Sequence, residues 1–417
     1  MQSIHYKYGY EIKELILNKN YSIDIIQPNI FTPTTGNILS GVNIMDELSI
    51  FFKSTQKPIN HVRVGIAIND KTRPVPYSVL LPLLLNALSN SGITDSQIGF
   101  FIANGTHVPD NESLGNFLQE NILNRYKFYQ HNCVDGENFV YLGKTTRNTE
   151  VFLNNDFYTC DLKISIGNIE PHHFAGFSGG YKTVSIGLAG KQTINENHKL
   201  LMDPKSVAGV YYENPVRMDI NEIGIMTGLN YCLNCIMNEH KEIVSIIFEK
   251  PDRVMEIGIP IVKSIYMVDV LKKYDFVIAS AGGFPKDINF YQAQKALTNA
   301  AHICCDRGTI ILLAECREGI GSDIFEDYMK TFSSPLDIIS DFVKSPFQIG
   351  RHKAYLVSRL LLNHHVAIHS SLDEGKANLL LLENIADPMI YLNNLLTPES
   401  TIAFIPDAVV TVPNSQG

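Results

Sequence analysis

The sequence contains no tryptophan, few charged residues and no long run of basic or apolar ones. Of its 417 residues 18% are charged, and the net charge is -9. Nucleic acids and anionic membrane surfaces are bound by clusters of lysine and arginine, which this sequence lacks. Its apolar stretches are short or broken by polar groups, so none predicts a segment that crosses a bilayer. We therefore expect a small-molecule ligand, with neither nucleic acid nor membrane as a partner.

The amino terminus, MQSIHYKYGYEIKELIL, also lacks the basic start and long apolar run of a secretory signal, which predicts a cytoplasmic protein. The seven cysteines are odd in number and irregularly spaced, as is typical of reduced thiols rather than a disulfide framework. Cys232 and Cys235, in CLNC, have a spacing found in metal and redox sites, but no second pair follows them. Packing is the preferred interpretation of this pair, and a functional role stays open.

The length of the chain exceeds what one ordinary core accommodates, so more than one domain is expected. Short β-rich runs alternate with helical stretches, as in HVRVGIAI, SVLLPLLLNALSNSG and QIGFFIANG. Near-continuous apolar strands joined by helices are typical of a parallel sheet covered on both faces. A similar pattern begins near residue 266, with DFVIASAGG and GTIILLAEC. We predict an α/β protein of two lobes, each built on a mainly parallel sheet, with a cleft between them. The N-terminal domain is expected at 1–265 and the C-terminal α/β domain at 266–417, with the last few residues free to return to the first.

Unusual polar residues follow the expected strands, at the carboxyl ends where parallel sheets bind ligands. The loop NDKTRPVP contains Asp70 and Arg73, and an arginine there can bind a carboxylate or phosphate through two parallel hydrogen bonds. A surface Asp–Arg pair or a helix cap explains the same residues. NGTHVPD places His107 in the next loop, and GNIEPHHFAGFSGG follows a third strand. We expect these three loops to converge on one site.

The third loop continues as PHHFAGFSGGYK, which combines two histidines, glycines and a lysine: His172, His173, Gly179, Gly180 and Lys182. Its glycines permit positive φ and a close approach of the backbone to a ligand. Consecutive N–H groups in such a turn can bind anions, but neither the P-loop nor the dinucleotide-binding spacing is present. With His198 in NENHKLL, the two histidines form a candidate metal or acid–base cluster that lacks the spacing of a compact zinc motif.

A further candidate lies in FPKDINFYQAQKAL, after a strand of the second lobe. Gln292 and Lys295 are three residues apart, so on a helix they share a face. An amide and an amine on one face suit a carboxylate or carbonyl substrate, whereas the alternative is a solvated helix face.

Taken together, DKTRP, NGTH, HHFAGFSGGYK, NENHKLL and YQAQK resemble the nickel-dependent lactate racemase family in content, order and spacing. The resemblance implies a nickel-pincer nucleotide (pyridinium-3,5-bisthiocarboxylic acid mononucleotide nickel) attached covalently to the lysine that closes the glycine-rich motif, here Lys182. It implies His198 as the protein ligand to nickel, with Gly179 and Gly180 next to the cofactor. It also implies the cofactor-synthesis enzymes as partners. Imidazole is a suitable ligand for Ni(II).

The resemblance further implies acid–base catalysis by His107 and His172, with His173 in a supporting position. Three residues are implied to bind the substrate: Arg73, Gln292 and Lys295. We add Asp70 to the substrate-binding group, as a residue that holds Arg73 or orients a histidine. The implied reaction is racemisation or epimerisation of a 2-hydroxy acid, lactate or a related acid, by proton-coupled hydride transfer through a 2-keto acid.

Two other classes of protein would use some of the same residues. A non-catalytic carrier of the nickel-pincer nucleotide, or another nucleotide-binding protein, would need Lys182 and His198 but not two acid–base histidines. A zinc hydrolase would use the histidines, but the sequence has neither a compact zinc motif nor a glutamate in general-base spacing beside them. The racemase is therefore the leading hypothesis.

Overall fold

The computed structural model describes residues 2–17, 21–28, 43–73, 75–238 and 240–415. Its internal contacts divide the chain into two compact units. The amino-terminal unit contains the described residues of 30–265, and the carboxyl-terminal unit contains those of 1–29 and 266–417. Each unit has its own sheet and core.

Strands and helices alternate along most of the described chain. The strands are, in chain order, β1 (Gln2–Tyr8), β2 (Glu11–Leu17), β3 (Ile23–Ile25), β4 (Val64–Asn69), β5 (Ile98–Ala103), β6 (Lys127–Gln130), β7 (Phe139–Lys144), β8 (Glu150–Asn154), β9 (Leu162–Asn168), β10 (Pro171–His172), β11 (Gly176–Phe177), β12 (Tyr231–Met237), β13 (Ile243–Glu249), β14 (Met267–Val270), β15 (Tyr274–Ser280), β16 (Cys304–Leu313), β17 (His365–His369), β18 (Glu383–Asn384), β19 (Ile402–Ile405) and β20 (Val412–Ser415). The α-helices are α1 (Ile44–Ser54), α2 (Tyr77–Asn90), α3 (Glu120–Leu123), α4 (Asn155–Tyr158), α5 (Lys182–Ser185), α6 (Lys191–Lys199), α7 (Pro215–Thr227), α8 (Pro251–Tyr266), α9 (Phe290–Ala293), α10 (Lys295–Ala301), α11 (Asp323–Lys330), α12 (Pro335–Lys344), α13 (Arg351–Leu361), α14 (Glu374–Leu379) and α15 (Pro388–Leu395).

The amino-terminal unit is built on a six-stranded sheet in the order β13-β12-β9-β4-β5-β6. Its neighbours are parallel except β12 and β13, which are antiparallel. Ile66 in β4 and Ile164 in β9 are fully buried, in the same core cluster as Leu80, Leu84 and Leu88 of α2. Those leucines recur every four residues, so one face of α2 covers the sheet. Burying each such side chain contributes about 1.5–3 kcal/mol.

The carboxyl-terminal unit is built on a parallel sheet in the order β18-β17-β16-β15-β19-β3. The α/β class and the mainly parallel sheet in each lobe are thus confirmed.

The predicted division at 1–265 and 266–417 differs from the structure at the amino terminus, where the described residues up to 29 belong to the carboxyl-terminal unit. Strand β3 pairs with β19, with Ile23 opposite Ile402, so the amino-terminal strand supplies backbone hydrogen bonds to the carboxyl-terminal sheet. Strand β20 pairs with β14 in the same unit, so the last described residues do not return to the first domain. Edge pairing between distant parts of the sequence leaves no local pattern that would predict it.

The structure adds detail on two further sequence segments. The segment FYQAQKALTNAAHI, which contains Gln292 and Lys295, forms two helices, α9 and α10, which meet at Gln294. Cys232 and Cys235 lie on β12, fully buried, and burial raises the pKa of each thiol to about 12. Three residues apart on a strand they point to opposite faces, which supports packing over a shared metal or redox site. Within the described residues, no helix is long and apolar enough to cross a membrane.

Candidate functional site

Two of the predicted loops meet at a carboxylate–histidine pair. Asp70 follows the carboxyl end of β4, and His107 lies in the loop after the neighbouring strand β5. The Asp70 Oδ2 atom is 2.6 Å from His107 Nδ1, and Thr72 Oγ1 donates to Asp70 Oδ1 at 2.7 Å. Burial opposes ionisation of Asp70, but the hydrogen bonds from His107 and Thr72 outweigh it and lower the pKa of this carboxyl. An ionised Asp70 favours the proton of His107 on Nδ1, which makes Nε2 the proton acceptor.

Of the two roles expected for Asp70, these contacts favour orienting a histidine over holding Arg73. Its carboxylate contacts His107 and Thr72, and among the described contacts none joins it to the Arg73 side chain. The Arg73 side chain is exposed, and its charge lowers the pKa of both His172 and Lys182. Arg73 therefore lies near the glycine-rich stretch and is accessible to an anion.

The glycine-rich stretch begins as a small hairpin in which β10 pairs with β11. Gly176 has φ +74, and a Cβ there would collide with the carbonyl oxygen of Val210, so this position requires glycine. The Gly180 N–H donates to Asn234 Oδ1 at 2.8 Å, and a Cβ on Gly179 would lie 2.9 Å from the same oxygen. Gly179 thus lies close to β12 and Gly180 close to Met255 of α8, and the Gly180 N–H is already used within the protein.

A buried arginine donates hydrogen bonds to three carbonyl groups of this stretch. Arg217, in the first turn of α7, is fully buried and donates to the carbonyl oxygens of Ala175 and Gly179, each at 3.3 Å, and of Phe177. Burial lowers the pKa of Arg217 to about 10, so the side chain is still charged at neutral pH. Sequence reasoning missed Arg217, because an arginine on a helix is ordinarily exposed. The only local signal is Asn214–Pro215, which marks the start of α7.

The Phe174 ring contacts two of the predicted histidines, His172 and His198. The Phe174 ring packs edge-on against His172, with centroids 4.8 Å apart, and against His198, with centroids 5.0 Å apart. His173 stacks on His172 at 4.7 Å. Aromatic contacts of this kind restrict the rotation of both imidazoles.

The two proposed acid–base histidines have different hydrogen-bonding states. The Ala175 N–H donates to His172 Nδ1 at 3.2 Å, so the neutral His172 ring has its proton on Nε2. Burial, with the charges of Lys182 and Arg73, lowers the pKa of His172 well below its ordinary value, which keeps the ring neutral. His172 therefore presents a donor at Nε2, whereas His107 presents an acceptor.

Lys182 and His198 are both held in states suited to covalent or metal chemistry. Burial and the charges of Arg73 and Arg217 lower the pKa of the Lys182 amine well below its ordinary value. The neutral fraction of such an amine is larger, and it is the nucleophilic form. Burial and the nearby Lys182 lower the pKa of His198 to about 3, so its imidazole is neutral, as a metal ligand must be. In the part of the chain that the structure describes, no three His, Cys, Asp or Glu side chains are grouped to hold a metal.

Two hydrogen bonds link the segment that follows Lys182 to the ends of β4 and β5. Thr183, beside the lysine, donates through Oγ1 to Asn69 Oδ1 at 3.4 Å, and the Gly105 N–H donates to the Gly187 carbonyl at 3.0 Å. The amino-terminal unit therefore carries eight of the predicted residues at the ends of its strands and in the segments that follow them: Asp70, Arg73, His107, His172, Gly179, Gly180, Lys182 and His198.

The other two predicted residues belong to the carboxyl-terminal unit. Gln292 lies in α9 and Lys295 begins α10, and Lys295 Nζ donates to Gln292 Oε1 at 2.8 Å. Both side chains are partly buried. They form an amide–ammonium pair, which can bind a carboxylate.

An unsatisfied amide tests whether these residues fit the implied cofactor. Asn168 ends β9, and its carbonyl accepts a hydrogen bond from Ser178 Oγ at 2.8 Å, which places it beside the glycine-rich stretch. The Asn168 Nδ2 group is buried and has no hydrogen-bond partner among the described residues. A bound group with an oxygen acceptor would satisfy this donor. Together with the neutral imidazole of His198 and the low-pKa amine of Lys182, these residues fit an attached, anionic metal nucleotide.

A cavity lies against the Asp70–His107 pair. Its volume is about 370 Å³, and Ile102, Leu114 and Phe117 supply an apolar part of its wall. A small organic group fits in a space of this size.

Comparisons with known proteins give two family matches. Residues 8–209 match the lactate racemase N-terminal domain, and residues 270–412 match the lactate racemase C-terminal domain. The lactate racemase of Lactiplantibacillus plantarum is 31% identical over 315 residues, 74% of this chain and 74% of the relative. That of Thermoanaerobacterium thermosaccharolyticum is 28% identical over 388 residues, 88% of this chain and 91% of the relative.

Solved structures give the same result. The chain is similar to the lactate racemase apoprotein from T. thermosaccharolyticum with a TM-score of 0.87 and 25% identity, over 99% of this chain and 100% of that one. A protein from Thermotoga maritima is similar with a TM-score of 0.64 and 18% identity, over 89% and 97% of the two chains, and shows the fold alone.

Proposed function

Since the chain belongs to the lactate racemase family and is an isomerase, we propose that it racemises lactate or a closely related 2-hydroxy acid by proton-coupled hydride transfer through a 2-keto acid. When bound, the nickel-pincer nucleotide supplies the hydride acceptor and donor that imidazoles alone do not provide. We propose that Lys182 attaches this nucleotide and that His198 is the protein ligand to its nickel. The low-pKa amine and the neutral imidazole support these two roles.

Substrate binding is assigned to three cationic or amide side chains. Arg73 is exposed near His172 and Lys182, and its planar guanidinium suits a carboxylate. Lys295 and Gln292 form a second carboxylate- and hydroxyl-binding pair. The apolar wall of the cavity beside His107 provides room for the substituent on the substrate's C2 carbon.

Proton transfer is assigned to His107 and His172. His107 Nε2 takes the hydroxyl proton of one enantiomer, and Asp70 stabilises the resulting imidazolium through Nδ1–H. When the hydride returns to the opposite face, the substrate oxygen receives a proton from His172 Nε2. The His172 ring is neutral after this transfer only if Nδ1 is protonated beforehand. For His172 to take a proton from the opposite enantiomer, its Nδ1 bond from Ala175 N–H must be released, because Nε2 of the neutral ring is already protonated.

The Asp70–His107 pair is the observation that carries this proposal over the alternative of a cofactor carrier. A carrier needs Lys182 and His198, but it has no use for a histidine whose tautomer is fixed by an ionised carboxylate.

Expression together with the cofactor-synthesis enzymes tests the proposal. Intact-protein mass spectrometry should show an adduct on Lys182, and elemental analysis should show bound nickel. Lys182→Arg keeps a long basic side chain but has no nucleophilic amine, so it should lose the adduct. His107→Asn should keep the adduct and lose racemisation. A wild-type protein with neither adduct nor nickel would contradict the proposal. An adduct without racemisation of any acid in a panel of chiral 2-hydroxy acids would favour the carrier.

Racemisation in deuterated water separates hydride transfer from proton abstraction. A hydride that leaves C2 and returns to it carries no solvent deuterium, so the racemised acid should retain hydrogen at C2. Deuterium at C2 that accumulates as fast as racemisation would instead show proton abstraction by an imidazole.

A further inference from the structure

The neighbour of the proposed nickel ligand, Asn197, has a side chain whose orientation is determined by its contacts. Asn197 is fully buried in α6. Its Nδ2 donates to the carbonyl oxygen of Val216 at 3.1 Å and to Asp219 Oδ2 at 2.9 Å. Both partners are acceptors only, so the group that faces them must be the NH₂ group. The amide oxygen of Asn197 must therefore point the other way.

Asp219 is the anchor of this arrangement. It is fully buried in α7, and it accepts hydrogen bonds from Thr145 Oγ1 at 2.6 Å and Thr149 Oγ1 at 2.9 Å. Among the described residues Asp219 forms no ion pair, so its carboxylate is surrounded by neutral donors. Burying an ionised group in this way is costly and is tolerated where its hydrogen bonds are needed.

The amide oxygen of Asn197 is the last group in this chain of hydrogen bonds, and it contacts His198. Asn197 Oδ1 lies 3.2 Å from His198 Nδ1. Because this oxygen is an acceptor, His198 Nδ1 must carry the proton, and the ring nitrogen with a lone pair for a metal is then Nε2. A hydrogen bond to the far nitrogen is the usual way in which proteins fix the orientation of a metal-binding imidazole.

We propose that Asn197 and Asp219 are positioning residues that fix the tautomer and ring orientation of His198, so that Nε2 is presented to a metal. The proposal rests on the proposed function, since it takes His198 as the nickel ligand. Asp219 acts through Asn197, and Asn197 acts through His198.

The cofactor-free protein gives a first test that requires no nickel. In protein labelled with ¹⁵N-histidine, long-range ¹H–¹⁵N spectra show which nitrogen of each ring is protonated, and the His198 signal is identified by its loss in His198→Gln. We expect the Nδ1–H tautomer in the wild type and a shift towards Nε2–H in Asn197→Ala. An unchanged tautomer in Asn197→Ala would overturn the proposal.

Nickel retention in the loaded protein gives the second test. In Asn197→Ala and Asp219→Ala, nickel should be lost to a chelator about 10- to 100-fold faster than in the wild type, while the mass of the Lys182 adduct stays the same. The double variant Asn197→Asp/Asp219→Asn exchanges the carboxylate and the amide and still offers His198 an acceptor oxygen. It also places a carboxylate oxygen against the Val216 carbonyl, so it should recover only part of the retention. Equal retention in wild type and Asn197→Ala would contradict the positioning role.

Asn154→Ala is the matched control. Asn154 is a buried asparagine of the same unit whose Oδ1 accepts from Phe157 N at 3.0 Å to cap α4. Its substitution should lower the melting temperature without changing nickel retention, whereas loss of nickel from this variant as fast as from Asn197→Ala would contradict a specific role. A wild type without adduct or nickel would reject the proposed function. The tautomer measurement on the cofactor-free protein would still show whether Asn197 fixes the tautomer of His198.

Discussion

At the scale of the residue, the most informative group is Asp70, whose carboxylate contacts the imidazole of a histidine rather than the guanidinium of an arginine. The sequence predicted that Asp70 and His107 lie in neighbouring loops, because they follow neighbouring parallel strands. It left two partners open for Asp70, because a carboxylate next to an arginine and near a histidine can form a hydrogen bond with either side chain. The side-chain geometry that decides between them depends on the turn that contains Thr72, which has no pattern of its own.

Replacement of Asp70 by asparagine should affect both catalysis and stability. Asp70→Asn removes the charge that stabilises a protonated His107, so we expect kcat/KM for racemisation to fall by about 10²-fold or more, with the Lys182 adduct unchanged. Thr72→Val removes only the donor to Oδ1 and should have a smaller effect. If kcat/KM fell by a similar factor in both variants, the cause would be a disturbed loop around Asp70 and Thr72 rather than the loss of the Asp70–His107 interaction.

The pH dependence of stability checks the charge state of Asp70. Because the pKa of Asp70 is lower in the folded protein than in an unfolded chain, ionised Asp70 stabilises the fold above its unfolded pKa, and this contribution is lost as the pH falls through the folded value. In urea unfolding, wild type should therefore exceed Asp70→Asn in stability at pH 7, and the difference should narrow in acid. A difference that does not change with pH would show that Asp70 is not ionised.

At the scale of the element, the amino-terminal end of α7 supports much of the proposed site. Asn214 Nδ2 donates to the Phe174 carbonyl at 2.9 Å, Arg217 holds the carbonyl groups of the glycine-rich stretch, and Asp219 anchors Asn197. Helix α7 is recognisable in the sequence from its cap, but its buried polar face is not. Hydrophobic periodicity identifies buried helix faces by their apolar residues, so three polar side chains within six residues predict an exposed surface.

The glycine-rich stretch should be intolerant of a single added methyl group at Gly176. Gly176→Ala places a Cβ against the carbonyl of Val210 at a positive φ, and we expect a loss of more than about 2 kcal/mol in the free energy of unfolding, with less Lys182 adduct. Gly115→Ala is the control, because a Cβ there meets no atom within 4 Å and its φ lies outside the left-handed region. Its effect should stay within about 0.5 kcal/mol. Similar losses in the two variants, measured by urea unfolding, would refute the steric account.

At the scale of the whole molecule, each sheet was predictable and the membership of its edge strands was not. Strands such as β4 and β9 are continuous apolar runs between helices, so their class follows from composition and spacing. Strand β3 has three residues and pairs with a strand almost 380 positions later, with Ile23 opposite Ile402. Pairing at that separation is determined by the edge that the folded sheet leaves open, which a local pattern does not contain.

The distribution of proposed roles over the two units gives a prediction for hydrogen exchange. Lys182 and His198 belong to the amino-terminal unit, so cofactor loading should slow amide exchange in 172–199, because a group that binds only the folded state stabilises the segments that hold it. Gln292 and Lys295 are proposed to bind substrate, so 290–301 should gain protection only when a 2-hydroxy acid is added to the loaded protein. The comparison of cofactor-free, loaded and substrate-bound protein by mass spectrometry separates the two effects, and the Gln292→Ala/Lys295→Ala variant should keep the first and lose the second. Protection of 290–301 by the cofactor alone would instead assign this pair to cofactor binding.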